Sequence, residues 1–262
     1  LFRSRTGSWP FIVFDLRLNG ITGKWVCFLI GIIYLQFENL QFKYRIMLIY
    51  KFKGAVMQNP EMIAGIRNEI QKQSENCIVV VSALKGVMPR LRALYALSLK
   101  KGSGFEEEFK EFRHVHADLA EHLLAGNKLS EYLEDMQKHL DELYEILHQV
   151  APVKEASQAM KDYILAKGDI LSSLLFSKLF ENASWKDSRD FIITDSNFGA
   201  PEILWEESCE AVSREFRDTG GITVVPGYCG KTKSGYSISL GRVGLSLTAA
   251  LLESAFQKVK VA

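Results

Sequence analysis

Two short apolar runs with a capped helix between them constrain this chain more than any other feature. Residues 47–52 read MLIYKF and stop before Gly54, as a buried strand stops at a turn. Asn59-Pro60-Glu61 then opens a helix: Asn is a good cap, Pro suits the first helical position, and the carboxylate complements the positive helix end. That helix, 60–75, leads to a second run, CIVVVS at 77–82, followed at once by Gly86. Strand, helix, strand predicts parallel strands joined by a right-handed crossover. The predicted class is α/β, a three-layer sandwich with a mostly parallel central sheet.

A helical insertion follows at about 104–150. Phe105, Phe109, Phe112, His116, Leu119 and Leu123 recur at spacings of three and four. After Gly126-Asn127 the rhythm returns with Leu129, Leu133, Met136, Leu140, Leu143, Leu147 and Val150. Each stripe marks one helix face, and the short break predicts an antiparallel hairpin sealed by the two stripes. Residues 101–150 hold twelve acids and five bases, the composition of a solvated outer face. Beyond Pro152 a helix is predicted at about 156–180, centred on AKGDILSSLLF. A strand at 191–194 (FIIT), a helix at 202–217 and a buried strand at 221–230 (GITVVPGYCG) come next. The polar loop KTKSGYS then precedes Leu240-Gly241-Arg242-Val243-Gly244, which enters a helix running to about Lys258.

Lys and Arg number 32 against 31 Asp and Glu, so a general polyanion binder is excluded and nucleic acid is not an expected partner. The balance is uneven along the chain: residues 1–46 carry six basic and two acidic side chains, leaving the remainder net acidic. Residues 25–35 (WVCFLIGIIYL) are eleven apolar residues, short of the roughly twenty that span a membrane. No small-residue cleavage site follows them, so neither a span nor a secretory signal is expected. Residues 1–46 read as an extension outside the functional fold, which starts at Met47. Cys27, Cys77, Cys209 and Cys229 are far apart, with no C-x-x-C pair, which suggests neither a zinc site nor disulfides and points to a reducing, cytoplasmic compartment. His114, His116, His122, His139 and His148 all fall in the helical insertion and read as surface or seam residues rather than metal ligands.

In open α/β sheets ligands bind beyond the carboxyl ends of the strands, where helix N-termini offer free N–H groups. Three glycine-bearing turns occupy that position: KFKG at 51–54, SALKG at 82–86 and GRVG at 241–244. Lys51 is placed to meet a phosphate as a point charge, and Arg242 to hold a carboxylate or phosphate bidentately. Taken singly, a lysine near a strand end is more often merely solvated, and a Gly-Arg-x-Gly turn is more often a helix entry than an anion site. Asp169, in an otherwise apolar helix, needs a partner because an unpaired buried carboxylate is costly.

The order of these motifs resembles the amino-acid-kinase domain of aspartokinases over essentially all of 47–262. The family's first strand ends in Lys-Phe-Gly-Gly-Thr-Ser-Val, which Lys51-Phe-Lys-Gly-Ala-Val-Met57 resembles. Its Val-Val-Val-Ser-Ala-Met-x-Gly-Val-Thr is similar to VVVSALKGVM at 79–88, and its Gly-Glu-x-x-Ser-Ser to Gly168-Asp-Ile-Leu-Ser-Ser173. Asp-Ala-Arg followed by Ile-x-Thr-Asp-x-Asn-Phe-Gly resembles 187–199, and Thr-Thr-Leu-Gly-Arg-Gly-Gly-Ser-Asp resembles 238–246. The resemblance implies ATP-dependent phosphorylation of the L-aspartate β-carboxylate, the first step toward lysine, threonine and methionine, with Mg²⁺ accompanying the nucleotide. It implies that Lys51 neutralises the transferring phosphate, with Gly54, Gly241 and Gly244 lining the nucleotide side. Ser82, Gly86, Asp169 and Arg242 would meet the amino acid, Asp169 at its amino group and Arg242 at its α-carboxylate. Some members are fused to a homoserine dehydrogenase.

Departures from the family pattern cluster at the turns. Lys53 replaces a glycine, and a requirement for φ > 0 there would cost about 1–2 kcal/mol. Ala55, Val56 and Met88 remove hydroxyls, and Val243, Leu245 and Ser246 replace Gly, Ser and Asp. Each lost charged hydrogen bond costs about 1.5–3 kcal/mol. Residues 47–262 read as an amino-terminal piece ending before the family's Thr-Asp-Val-Asp nucleotide segment and regulatory domains, through which self-association would run. A catalytically silent, kinase-like binding or scaffold domain is the competing expectation.

Overall fold

The computed structural model describes residues 47–73, 76–100, 104–150 and 158–258, with four short strands between Ile12 and Tyr44. The chain divides into two units, Leu1–Met47 and Leu48–Ala262. In the first, β1 (Ile12–Asp15) pairs antiparallel with β2 (Lys24–Cys27), and β3 (Ile33–Phe37) pairs antiparallel with β4 (Leu40–Tyr44). Apart from the stretches in β2 and β3, the apolar run at 25–35 lies outside the described residues.

The second unit is built on the unit predicted from the two apolar runs. Strand β5 (Leu48–Phe52) is followed by helix α1 (Pro60–Gln73), whose Met62 N–H donates to Asn59 Oδ1 at 2.9 Å, the cap the sequence announces. Strand β6 (Cys77–Val81) pairs parallel with β5, Lys51 opposite Val80. Helix α2 (Val87–Ser98), which the glycine turn at 82–86 had hidden in the sequence, leads to α3 (Phe105–Leu123), α4 (Gly126–Val150) and α5 (Gln158–Lys178). Strands β7 (Ala183–Trp185) and β8 (Ile193–Thr194), helix α6 (Trp205–Glu215), strands β9 (Ile222–Pro226), β10 (Cys229–Thr232) and β11 (Ser237–Ser239), and helix α7 (Gly244–Lys258) complete the unit.

The main sheet runs β5-β6-β9-β7, and every pairing in it is parallel. A smaller sheet, β11-β10-β8, joins one antiparallel and one parallel pair. All five residues of β6 are buried, so its alternation shows only in what each residue touches. Cys77, Val79 and Val81 join a core with Ile63 and Ile70 of α1, Leu91 and Leu94 of α2, and Ile170 and Leu171 of α5. Ile78 and Val80 are equally buried but stand outside that core, on the side of α7. Helices thus cover both faces of the sheet, giving three layers with α3 and α4 outside the α2–α5 layer.

Four expectations are corrected. The run at 221–230 is two strands, because Pro226-Gly227 ends β9 and the chain turns into β10 at Cys229. The polar loop that follows is itself a hairpin, with Lys231 opposite Ser237. Of FIIT only Ile193 and Thr194 are strand; Phe191 and Ile192 are buried behind the 3-10 turn Ser188–Asp190. The stripes of α3 and α4 do not simply seal a two-helix hairpin: α4 lies mainly along α5 and α3 along α2. Tyr132 is fully buried where the stripe placed Leu129 and Leu133, which are half-buried. A left-handed Gly126, φ 57°, turns the chain in two residues.

Candidate functional site

Helix α5 is buried over residues 164–177, an all-round apolar helix of the kind found inside a layered core. Its serines return their hydroxyls to the helix: Ser172 donates to the Gly168 carbonyl at 2.7 Å and Ser177 to that of Leu174 at 2.7 Å. Gly168 lets this helix approach the end of β6, since a Cβ there would lie 3.0 Å from Leu91 and Val87 and 3.1 Å from Ala83. The side chain next to it, Asp169, therefore reaches the tip of the strand.

Asp169, 2% exposed, accepts a hydrogen bond from the Ala83 N–H at 2.6 Å, and the Leu84 N–H donates to Ser172 at 3.0 Å. Burial pushes the Asp169 carboxyl up to about 8, with the Ala83 amide pulling the other way. The partner anticipated for this carboxylate is an amide, not a cation. One residue earlier, Ser82 donates its own N–H to the Phe52 carbonyl at 3.1 Å and receives the Gly54 N–H on its hydroxyl at 2.8 Å. A Cβ on Gly54 would lie 2.3 Å from the Ala83 carbonyl, so only glycine permits this contact. Gly54 is thus bonded to Ser82, and Asp169 to the amide of the next residue, Ala83, at the end of β6.

The tip of β9 meets the same place. Gly227 N–H donates to the Val81 carbonyl at 2.9 Å, and the Tyr228 carbonyl accepts the Leu240 N–H at 2.8 Å. Burial, and then the Asp169 charge, push the Tyr228 phenol up. Gly244 packs against Tyr228: a Cβ there would come within 2.9 Å of its Cα. The turn Gly241–Val243 that carries Arg242 follows directly from Leu240, with Gly241 at φ 67°. Lys51, Lys53, Lys85, Gly241 and Arg242 are exposed, and Gly86, φ 87°, opens α2. Of the charged side chains among these only that of Lys85 is tied down, its ammonium donating to Gln58 Oε1 at 2.5 Å; no direct contact joins Lys51 or Arg242 to Asp169.

Lys53 departs from expectation. Its backbone is extended, φ −83° and ψ 152°, so the replacement of glycine stores no strain and leaves only a charged side chain at the turn.

A second charged cluster, unmarked by any motif in the sequence, lies on α4 and α5. Lys167 is 1% exposed and donates to Glu142; its ammonium is 3.2 Å from His139 Nδ1 and 4.7 Å from the Tyr163 ring centre. Tyr163 donates to the same Glu142 oxygen at 2.9 Å. Burial and the Lys167 charge hold the His139 imidazole below its ordinary value. His116, expected at a surface or seam, is fully buried: Nδ1 donates to the Phe112 carbonyl at 3.0 Å, Nε2 has no partner, and burial lowers its pKa to about 4. The apolar stripe gave the signal for His116; Lys167 gave none, because its anion is 25 residues away on another helix.

Comparison with known proteins follows the same outline. The profile of the amino acid kinase family matches residues 47–260. The lysine-sensitive aspartokinase 3 of Escherichia coli (strain K12) is 27% identical over 219 residues, which cover 81% of this chain and 47% of that protein. A bifunctional aspartokinase/homoserine dehydrogenase 1, chloroplastic, of Arabidopsis thaliana is 23% identical, covering 80% and 24%. Among solved structures, E. coli aspartokinase III in complex with lysine and aspartate superposes with a TM-score of 0.71 at 23% identity, covering 80% of this chain and 47% of that one. The aspartate kinase of Clostridium acetobutylicum gives 0.67 at 17%, covering 80% and 45%, and both show the fold. This chain spans about half or less of the length of these relatives. With three layers, a parallel sheet and joined strand tips already in place, the match over residues 47–260 settles the assignment: the chain belongs to the amino acid kinase family, and its relatives there are aspartokinases.

Proposed function

We propose that residues 47–262 are the catalytic domain of an aspartate kinase, transferring the γ-phosphoryl group of ATP to the β-carboxylate of L-aspartate. The observation that carries this reading is the meeting of Gly54, Ser82 and Asp169 at the end of β6, Gly54 bonded to Ser82 and Asp169 to the adjacent Ala83 amide, with Gly227 bonded to Val81 and Tyr228 to the turn that bears Arg242. Phosphoryl transfer asks little covalent chemistry of a protein and much charge neutralisation. The exposed cations Lys51 and Lys53 at the end of β5 suit a polyphosphate, and Lys51 neutralises the moving phosphoryl group. Asp169 holds the substrate ammonium, which draws its buried carboxyl into the ionised form. Arg242 holds the α-carboxylate, with Ser82 and Gly86 shaping that side and Gly241 and Gly244 the nucleotide side. Mg²⁺ would come with the ATP phosphates, whose charge it neutralises. Cys77, Cys209 and Cys229 are buried and form no disulfide among the described residues, which suits a reducing, cytoplasmic setting. No helix among the described residues is long and apolar enough to cross a membrane.

A second reading, binding without turnover, rests on the same turns. The Gly54 and Ala83 N–H groups are already spent on Ser82 and Asp169, and exposed Val56 and Val243 offer no donors. Calorimetric titration with ATP and Mg²⁺, followed by a hydroxamate assay for aspartyl phosphate, separates the two. Product formation establishes the kinase, nucleotide binding without product establishes the silent module, and absence of both refutes the assignment of the site.

A further inference from the structure

We infer that Asp162 is the positioning residue for the turn that presents Arg242, a role that rests on the amino-acid site proposed above. Asp162 and Asp169 are seven residues apart on α5, so they lie on one helix face about two turns apart. Asp169 fixes the tip of β6, whereas Asp162 reaches the end of β11, accepting the Ser239 N–H on Oδ2 at 3.2 Å. Its other oxygen accepts the Gln158 side-chain amide at 2.9 Å, and the carboxylate is 1% exposed. No cation pairs with it among the described residues, so these neutral donors hold the carboxylate in place. Gln158 in turn lies 3.5 Å from the position of a Cβ on Gly199, where φ is 91°.

Every amide entering the arginine turn is then held. Ser239 N–H goes to Asp162, Leu240 N–H to the Tyr228 carbonyl at 2.8 Å, and Gly241 N–H to the Ser239 hydroxyl at 3.3 Å. Two of these acceptors belong to the strand tips and to the turn itself; of the three, Asp162 is the one on α5, the helix that carries Asp169 and packs along β11. Arg242 is exposed and has no hydrogen-bond partner of its own among the described residues, so its backbone decides where the guanidinium starts. Asp162 therefore sets the register between the two groups that face the amino-acid ligand.

Hydrogen exchange of the chain, read at single amides, tests this together with L-aspartate titration. Asp162→Ala is expected to speed exchange at Ser239 by about tenfold or more while Val79 and Val224 keep their protection. It is expected to weaken L-aspartate binding by about tenfold and ATP binding by less than about twofold. Asp162→Asn keeps an acceptor oxygen and should restore both. Unchanged exchange at Ser239 overturns the inference, as does equal loss of protection at Val79 and Val224, which would mark a merely structural carboxylate. If the unaltered chain binds no L-aspartate, the proposed function fails, and the Ser239 exchange still decides whether Asp162 holds the turn.

Discussion

Asp169 is a carboxyl group sealed inside a helix with an amide for its bonded partner, and its ionisation opposes folding. Burial pushes it up to about 8, from about 3.9 in an unfolded chain. Between those values the folded protein holds a proton that the unfolded chain has released, so this group's contribution to stability falls as pH rises through about 4 to 8. The slope approaches about 1.4 kcal/mol per pH unit where the difference is one full proton. Asp169→Asn keeps an acceptor for the Ala83 N–H and cannot ionise. Urea unfolding at about pH 5, 7 and 9 should show a flatter stability profile for this variant than for the parent, and parallel profiles would refute the assignment. At Lys53 the expected sign is opposite to what the glycine-rich resemblance suggests. With φ already at −83°, Lys53→Gly relieves nothing and adds unfolded-state freedom, so it should lower stability by about 0.5–1 kcal/mol in the same assay.

At the scale of elements, the Lys167–Glu142 pair fixes α4 against α5 two residues before Asp169. Removing its two partners should have unequal effects. Glu142→Ala leaves a buried ammonium beside His139 and Tyr163 with no anion, and the cost is about 2 kcal/mol, held down because Glu142 is half exposed and water can enter. Lys167→Met removes the buried charge and leaves Glu142 in water, so it should cost less than about 1 kcal/mol. Equal losses in thermal unfolding would show that packing alone joins the helices. The same pair explains what the sequence conceals. The runs MLIYKF and CIVVVS, the Asn59 cap and the arginine turn were legible because each is settled by neighbours in the chain. Gly54, Ser82 and Asp169 came instead from the family resemblance, and the structure brings all three to the end of β6. Lys167, Asp162 and Tyr228 were not legible, because their partners are distant in sequence: Glu142, Ser239 and the field of Asp169. Strands β7 and β11 are three residues long, too short for any alternation to register.

For the whole molecule the decisive question is which residues the fold needs. The described core begins at Met57 and draws on α1, β6, α2, α3, α4, α5 and β9. All of these lie in Leu48–Ala262, where every parallel pairing of the main sheet also lies. Among the described residues the strands between Ile12 and Tyr44 form two separate two-stranded hairpins, β1 with β2 and β3 with β4. A unit of this size that closes its own sheet and covers both faces of it has the apolar burial to fold alone. A chain beginning at Met47 should therefore give one cooperative transition, with near-UV and far-UV signals coincident. Its midpoint should fall within about 3 °C of the parent's, since a loss of 1 kcal/mol shifts a domain of this length by about 2–4 °C. Separated transitions, or a near-UV signal lost while the far-UV signal remains, would mean that residues 1–46 complete the packing of the second unit.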